Sequence, residues 1–447
     1  MYPRYPRRSF IAAAAVAAMV LAAALPVAAL AQAADEPVVI RYGHWLTSET
    51  MVAATNRIID EFEASHPGIE VEFVPVQWGG EQAYLEQITT WVIGGAAPDV
   101  MNISYALLPQ LAEQGAILPV DAYLARDARE VAPDDFVPIA LEATSWNGHQ
   151  YGLPFELGLW WVNYNEDAFA EAGLQTPASL YRTGGWNWDA MIESARKITH
   201  RNADGVVDRW GMWTFPGDAG TYPWLWAFGG RLLSEDGQRA AIGDPGAIEG
   251  ISFFHRLMYQ ERILAFPHWM GIPAIATNYD ETLTRGAFGM QPWWMSMIGS
   301  YAEANVNWSF DQVPIPPGPE SPMTVPSHIH TVAIMKGTQH PDAAWEFVKY
   351  VTGEGYRRVI EADPAFSVVR RSQFPLWARQ YQALDIEGIQ FFNEGITRTR
   401  LRPRHSRIRE IDAMVQQALG AVWRNEAPVA STLEQLARRI DAVLQEP

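Results

Sequence analysis

Hydrophobic and polar positions repeat with two different periods in the part of the chain that follows residue 37. The β-branched run from Val38 to Tyr42 predicts a strand, and the alternating segment from Ile69 to Val74 predicts a second one. Between them, apolar residues recur at helical spacing over 51–62, and His66-Pro67-Gly68 ends the predicted helix. Strand, helix and strand in this order predict a βαβ unit with parallel strands.

The same rhythm continues along the chain and predicts an α/β fold class. A chain of 447 residues is long enough for two domains, because single cores stop growing near about 250 to 300 residues. We therefore expect a cleft between two domains, and ligands bind such open sheets beyond the carboxyl ends of the strands. The same periodicities predict helices around 82–92 and at 107–113, 188–198 and 247–259, and a strand at 99–103. They also predict a mostly helical tail from Pro341.

Residues 1–33 have the organisation of a cleaved export signal. Three arginines precede an alanine-rich apolar tract, and Ala31-Gln32-Ala33 supplies the small residues that a signal peptidase accepts. Arg7-Arg8 followed by Ser9-Phe10-Ile11 resembles a twin-arginine signal. A transmembrane anchor is the alternative, but the tract is mostly alanine and is broken by Pro26.

Charge and cysteine content exclude several functions. After the signal, 30 Lys and Arg face 51 Asp and Glu, so the surface repels nucleic acid and anionic membranes. The chain has no Cys, which excludes disulfides, thiol catalysis, cysteine-ligated zinc and a lipid-modified cysteine. We expect a freely soluble periplasmic protein. The 19 Trp residues are an excess that suits ligands with apolar faces.

Several segments occur in the order seen in bacterial extracellular solute-binding proteins, and the chain resembles the carbohydrate-binding, maltose-binding-protein-like group of that family. The resemblance spans nearly the whole mature chain, and the joint order of the segments is more specific than any one of them. The segments are Phe62-Glu63, His66 to Val71, Gly95 to Val100, Tyr151 to Phe155, Tyr164 to Phe169, Glu171 to Leu174, Gly286 to Met290, Pro316 to Pro319, and His340 to Phe347.

The resemblance implies a two-lobed periplasmic binding protein fold with hinge strands between the lobes. It implies an N-terminal lobe of 34–157 plus 313–335, and a C-terminal lobe and helical tail of 158–312 plus 336–447. The first crossing would run from Pro154 to Trp161. The implied function is a monomeric periplasmic receptor that captures a sugar or oligosaccharide and delivers it to the permease subunits of an ABC importer in the inner membrane, with no nucleic-acid partner.

The ends of the predicted first-lobe strands provide candidate ligand groups directly. Trp45 and Trp78 each follow a predicted strand, where a ligand would lie. Glu49 and Ser104 lie in the neighbouring loops, although exposed loop residues are often simply solvated. Sugar sites combine aromatic faces with groups that form hydrogen bonds, and these four residues offer both.

The resemblance adds candidates from the hinge and the second lobe. Glu156 would lie in an apolar hinge strand, where a carboxylate needs hydrogen-bond partners; a sugar or an interlobe arginine could supply them. Strand alternation turns Trp160 and Trp161 to opposite faces, so that at most one touches the cleft. Of Trp224 and Trp226 in a cleft wall, one is expected to face the ligand. Of Trp293 and Trp294 beside the aromatic platform, at least one is expected to contact the ligand, with core packing as the alternative for the other. His328 near the return crossing either contacts the ligand or packs in the hinge, and Arg370 lies in a loop that reaches the cleft.

The segment from His200 to Asp208 resembles a calcium loop, with oxygen donors at alternate positions. Its first ligand position is His and no closing Glu follows, so a β-turn at Ala203-Asp204-Gly205 is the preferred interpretation. We expect neither a metal nor a cofactor.

Two other function classes share some of these features. A secreted glycoside hydrolase would need two carboxylates across the cleft, but no hydrolase, metalloprotease or phosphate-loop motif surrounds Glu49 or Glu156. A receptor of the same fold for polyamines, metal complexes or another small solute is the second alternative, and polyamines or metal complexes would favour several acidic groups in the cleft. The chain offers more aromatic candidates than acidic ones, so the sequence favours a binding protein for carbohydrate over an enzyme.

Overall fold

The computed structural model describes residues 37–46, 49–77, 79–214, 218–265, 285–304, 306–362 and 367–445. The predicted export signal at 1–33 lies outside these residues. Within the described ranges, no helix is long and apolar enough to cross a membrane.

One long mixed sheet passes through the whole molecule. Its strands follow the spatial order β2-β1-β3-β12-β6-β10-β8-β7, with β11 beside β6, β13 beside β12 and β9 beside β8, while β4 and β5 form a separate hairpin. The strands are β1 Val38–Leu46, β2 Ile69–Gln77, β3 Val100–Ser104, β4 Ser145–Trp146, β5 His149–Gln150, β6 Leu153–Asn165, β7 His200–Arg201, β8 Val207–Trp213, β9 Leu264–Ala265, β10 Phe288–Trp294, β11 Phe310–Pro314, β12 Val325–Ile334 and β13 Thr399–Leu401.

Helices cover the faces of this sheet, and short 3₁₀ turns occupy 133–135, 371–373 and 388–391. The helices are α1 Glu49–Ser65, α2 Glu81–Ile93, α3 Leu108–Glu113, α4 Asp121–Arg126, α5 Ala128–Val131, α6 Pro138–Ala143, α7 Glu166–Glu171, α8 Pro177–Arg182, α9 Trp188–Ile198, α10 Asp218–Ala227, α11 Pro245–Tyr259, α12 Met297–Glu303, α13 Pro341–Val351, α14 Glu354–Ala362, α15 Phe374–Gln382, α16 Phe392–Thr397, α17 Ile408–Trp423 and α18 Val429–Gln445.

The βαβ rhythm predicted from the sequence is confirmed. β1 pairs in parallel with both β2 and β3, and α1 and α2 connect these strands. The first strand is longer than the predicted run from Val38 to Tyr42, because β1 continues through Leu46. His44 and Trp45 are consequently buried strand residues, at 4% exposure each.

β6 joins two halves of the molecule. Its first part, from Leu153 to Leu159, pairs with β12, whereas its second part, from Trp160 to Asn165, pairs with β10 and β11. We call the half built on β1, β2, β3 and β12 the first lobe, and the half built on β7 to β11 the second lobe. The backbone of one strand thus passes from one lobe into the other.

The helices that follow β12 divide between the two lobes. α13 contacts β1, β12 and α1, and α14 contacts α1, so both pack on the first lobe. α17 contacts α18, and α18 contacts α11, so both pack on the second lobe. The sequence-based expectation assigned 336–447 to the C-terminal lobe, whereas α13 and α14 contact the first lobe.

The pairing of β6 with β12 contains an irregularity at the start of the crossing. His330 pairs with Glu156 but Thr331 pairs with Pro154, so that Phe155 has no partner position in β12. Pro154 lacks an N–H group and cannot donate to the ladder, which is why proline in a strand occurs at such bulges. The bulge fixes which β6 side chains face the space between the lobes.

A buried carboxylate in the second lobe makes stability depend on pH. Asp311 is 2% exposed and accepts hydrogen bonds from the N–H groups of Gln312 at 2.7 Å and Gly388 at 2.9 Å and from the Tyr164 hydroxyl at 3.0 Å. Burial raises its pKa to about 6, although these hydrogen bonds oppose the shift.

We expect Asp311 to lower the free energy of unfolding as pH rises. The folded state binds the Asp311 proton more tightly than the unfolded state, in which the pKa is about 4. The protonated carboxyl therefore contributes its full stabilisation below that pKa, and the contribution is lost as pH rises through about 6. Urea unfolding of wild type and Asp311→Asn at several pH values isolates this contribution. A difference between the two proteins that does not change with pH would contradict the prediction.

Candidate functional site

Four residues at the crossing of β6 and β12 form a surface that we call the floor: Glu156, Gly158, His328 and His330. Glu156 is paired with His330 and Gly158 with His328, and residues two apart along a strand share a face. Glu156 and Gly158 are partly exposed, whereas their neighbours Phe155, Leu157 and Leu159 are buried. The floor therefore faces away from the core at the place where the chain changes lobes.

Glu156 finds its partner on the adjacent strand. Its Oε2 lies 3.2 Å from Nδ1 of His330, and both side chains retain some exposure, 19% and 15%. The carboxylate has a second oxygen that can accept further hydrogen bonds. The interlobe arginine considered from the sequence is replaced here by a histidine directly opposite in the sheet.

The first lobe supplies aromatic rings beside the floor. The ring centroid of Trp45 lies 4.4 Å from that of His330, and the ring centroid of Tyr105 lies 5.4 Å from that of His328, both edge to face. Trp45 lies at the carboxyl end of β1, and Tyr105 directly follows the carboxyl end of β3. This is the edge of a parallel sheet at which ligands bind in open α/β folds.

The second lobe contributes Trp294 from the end of β10. Its ring lies 5.5 Å from Trp160 and 6.0 Å from His328 between centroids, and it remains partly exposed. A side-chain carbon added to Gly158 would lie 3.4 Å from two carbons of the Trp294 ring. The ring therefore rests directly over the bare backbone of Gly158, which gives the floor an aromatic platform.

His328 in the floor and His44 in β1 are both neutral at ordinary pH. Burial, followed by the influence of His330, lowers the pKa of His44 to about 3. Burial also holds the pKa of His328 well below its usual value, with His330 and Arg402 adding to the shift. A neutral imidazole can donate one hydrogen bond and accept another, as a hydroxyl group does.

The structure brings four sequence candidates together at the floor: Trp45, Glu156, Trp294 and His328. Ser104 lies nearby, but its hydroxyl donates to Glu81 at 2.7 Å and the residue is fully buried. Trp226 is 1% exposed, and the Arg400 guanidinium lies 5.4 Å over its ring. Arg400 itself is paired across from Pro326 of β12.

Three other candidates lie apart from the floor. Trp224 is 1% exposed in the core of the second lobe, 4.9 Å from Phe254 between ring centroids. Trp293 points to the opposite side of β10 from Trp294, and its ring lies 5.8 Å from that of Trp213. Arg370 is buried in the first lobe. Its guanidinium donates to the backbone carbonyls of Val131 and Thr352, each at 2.9 Å.

Two further candidates lie at the limits of the described residues. Trp78 lies outside the described residues. Glu49 begins α1, and only its backbone is described.

Strand alternation correctly predicts the separation of Trp160 and Trp161. Trp160 meets Trp294 at 5.5 Å, whereas the nearest ring to Trp161 is Phe392 at 6.5 Å. Trp160 therefore lies on the same face as Gly158, next to the platform.

Sequence reasoning missed His330, Tyr105 and Gly158. The spacing of His328 and His330 was a usable signal, because residues two apart on a strand face the same side. Tyr105 follows Ser104 directly and could have been included with it. Gly158 carried no signal, since its role depends on the ring of Trp294, which lies 136 positions away in sequence.

The segment from His200 to Asp208 folds as the predicted turn. The Asn202 side-chain oxygen accepts hydrogen bonds from the N–H groups of Asp204 and Val206, each at 3.0 Å, and His200 Nδ1 lies 2.6 Å from Asp208 Oδ1. Among the residues that the structure describes, no group of three or more His, Asp or Glu is placed to hold a metal ion.

Comparison with known proteins agrees with the fold. A solved ABC substrate-binding protein of Listeria monocytogenes, in complex with cycloalternan, matches 92% of this chain and 100% of its own, with a TM-score of 0.77 and 17% identity. Maltose-bound MalE3 of T. maritima matches 91% of this chain and 100% of its own, with a TM-score of 0.73 and 17% identity. The two-lobed periplasmic binding protein fold is therefore confirmed.

Sequence comparison identifies the family. A putative binding protein of Brucella abortus is 23% identical over 430 residues, which cover 95% of this chain and 98% of the relative. A maltotriose-binding protein of Pyrococcus abyssi is 25% identical over 305 residues, 66% of this chain and 58% of the relative. The family described as bacterial extracellular solute-binding protein matches residues 47–358. The chain belongs to the bacterial extracellular solute-binding protein family, whose members serve ABC transporters.

Proposed function

We propose that this protein captures a sugar or oligosaccharide between its lobes and delivers it to the permease subunits of an ABC importer. The observation that carries the proposal is the floor, where neutral His328 lies beside the Trp294 ring and Glu156 pairs with His330. Sugars present hydroxyl groups that donate and accept hydrogen bonds, and CH-rich faces that stack on aromatic rings. The names of the maltotriose-binding relative and of the cycloalternan and maltose complexes support the same ligand class.

The proposed ligand site consists of Trp45, Glu156, Trp294, His328 and the newly included His330 and Tyr105. Trp226 would extend it at the edge, and Trp78 and Glu49 are retained from the strand-end argument. We leave Trp224, Trp293, Ser104 and Arg370 outside it, because their rings or polar groups are engaged within one lobe.

Ligand binding would stabilise the closed arrangement of the lobes by contacting both of them at once. We propose that the first lobe comprises 34–157, β12 and the helices α13 and α14, and that the second comprises 158–315 and the helices α17 and α18. The protein would act as a monomer in the periplasm after removal of residues 1–33, and would bind its ligand without transforming it.

Titration of the purified mature protein tests the ligand class. We expect a change in intrinsic fluorescence with mono- or oligosaccharides, since Trp294, Trp45 and Trp160 surround the floor. A thermal-shift screen against a sugar panel identifies the ligand, because binding to the folded state raises the unfolding temperature. A response to polyamines and to no sugar would refute the carbohydrate proposal, and release of reducing ends from a glycan would refute binding without catalysis.

Replacing Glu156 by glutamine is expected to weaken binding of the identified sugar about 10- to 100-fold, because hydrogen bonds to a charged group contribute about 1.5 to 3 kcal/mol. The amide keeps the shape of the side chain but loses the charge and one acceptor. Isothermal titration calorimetry measures the change. Glu70→Gln, an exposed carboxylate on β2, is the matched control, and equal affinities of the two variants would remove Glu156 from the site.

A further inference from the structure

The segment 398–409 carries six arginines in a chain where acidic residues outnumber Lys and Arg by 51 to 33. This segment, which we call the arginine strap, starts at β13 beside β12 and ends in the first turn of α17. Its arginines stand at 398, 400, 402, 404, 407 and 409. So dense a basic segment in an acidic protein needs partners, and the structure shows where several of them lie.

The strap arginines divide between the lobes. Arg404 donates to the carbonyls of residues 142, 143 and 145 at the end of α6, at 2.8, 3.2 and 2.8 Å, which fixes it to the first lobe. Arg398 donates to the Ile315 carbonyl at 3.2 Å and to the Tyr181 hydroxyl at 2.7 Å, on the side of the second lobe. The strap is therefore a third passage between the lobes, in addition to β6 and the segment before β12.

Glu81 connects two of the remaining strap arginines. Its Oε2 lies 2.9 Å from Nη1 of Arg409, and its Oε1 lies 3.5 Å from Nη2 of Arg402. The Ser104 hydroxyl also donates to Oε1, at 2.7 Å. The side chains of Glu81, Arg402 and Arg409 are only 13%, 12% and 16% exposed.

Glu81 and Arg409 belong to different lobes. Glu81 begins α2, whose Tyr84 and Ile88 are buried in a first-lobe core cluster with Trp45. Arg409 lies on α17, which packs on α18 and ends at Trp423, whose ring lies 4.9 Å from that of Phe254 in α11. The Glu81–Arg409 ion pair consequently spans the space between the lobes.

We propose that Glu81 and Arg409 form an interlobe latch that holds the lobes together independently of the ligand. Opening the lobes must separate the pair, because its members are fixed to different cores. The pair is mostly shielded from water, where its charges attract one another more strongly than in solvent, and the Ser104 hydroxyl gives Glu81 the further hydrogen bond that a shielded ion pair needs in order to be stabilising. Arg402 and Asp412 brace it, since Asp412 Oδ2 lies 3.3 Å from Arg409 Nη1. The latch rests on the two-lobed fold and not on the identity of the ligand.

Distance measurements between spin labels test the latch without any sugar. The natural chain has no Cys, so Ala83→Cys on α2 and Gln417→Cys on α17 give one labelled pair in the full mature protein. Both positions are exposed. We expect the Glu81→Gln and Arg409→Gln variants to raise the population at longer label distances about fivefold over the wild type. The double variant should add little to either single variant, because both changes break the same pair.

Two controls separate the latch from general loosening. Glu86→Gln changes an exposed carboxylate on the same helix and should leave the distances unchanged. Circular dichroism confirms that each variant is folded. Folded Glu81→Gln and Arg409→Gln proteins with the wild-type distance distribution would overturn the proposal, as would additive effects in the double variant.

Discussion

Replacing Trp294 by alanine is expected to lower the affinity for the sugar ligand about 100-fold, the range of an interface residue that contributes most of its binding energy. The Trp294 ring lies over Gly158 and beside His328, partly exposed, on the face of β10 that adjoins the floor. Alanine removes the flat apolar surface that the second lobe holds over the floor. Calorimetric titration with the sugar found by the thermal-shift screen measures the loss.

The neighbouring tryptophan provides a control of the same chemistry. Trp293 precedes Trp294 on the same strand and is also partly exposed, but its ring packs on Trp213. Trp293→Ala should leave the affinity within a few-fold of wild type, and Trp294→Phe should retain part of it because a smaller aromatic face remains. If Trp293→Ala loses more affinity than Trp294→Ala, the platform has been assigned to the wrong face of β10.

The fold could be predicted from the sequence because its elements depend on local periodicity. The run from Val38 to Tyr42, the helical spacing over 51–62 and the alternation from Ile69 to Val74 each specify one element, and β1, α1 and β2 contain them. Trp188–Ile198 was predicted with the bounds that the structure gives. Such segments need no information from distant parts of the chain.

The floor could be predicted only in part, because its contacts depend on which residues face one another across strands far apart in sequence. Glu156 was identified as a buried carboxylate in need of a partner, but the partner proved to be His330, which depends on the register of β12 against β6. In the sequence, Trp224 and Trp294 are both candidates for an aromatic contact with the ligand. Only the packing shows that one ring lies in a core and the other beside the floor.

Gly152 shows the same limit in backbone terms. Its φ does not lie in the left-handed region, so the position does not need glycine for an unusual backbone conformation. The requirement is steric: a side-chain carbon at Gly152 would lie 2.3 Å from the Val332 carbonyl oxygen and 2.7 Å from Cγ2 of Thr331. Close approach of β12 to the start of β6 therefore demands a residue without a side chain.

Replacing Gly152 by alanine is expected to destabilise the protein by about 3 kcal/mol, at the upper end of what forced repacking costs. The nearest atom belongs to the backbone of β12, so the clash cannot be relieved by rotating a side chain. β12 has to move, and His330 lies two residues from Val332 on the same strand, so sugar affinity should fall together with stability. Gly68→Ala is the matched control, because nothing lies within 4 Å of its added carbon. Urea unfolding followed by tryptophan fluorescence measures both variants, and a Gly152→Ala protein as stable as Gly68→Ala would show that β12 can yield at the crossing.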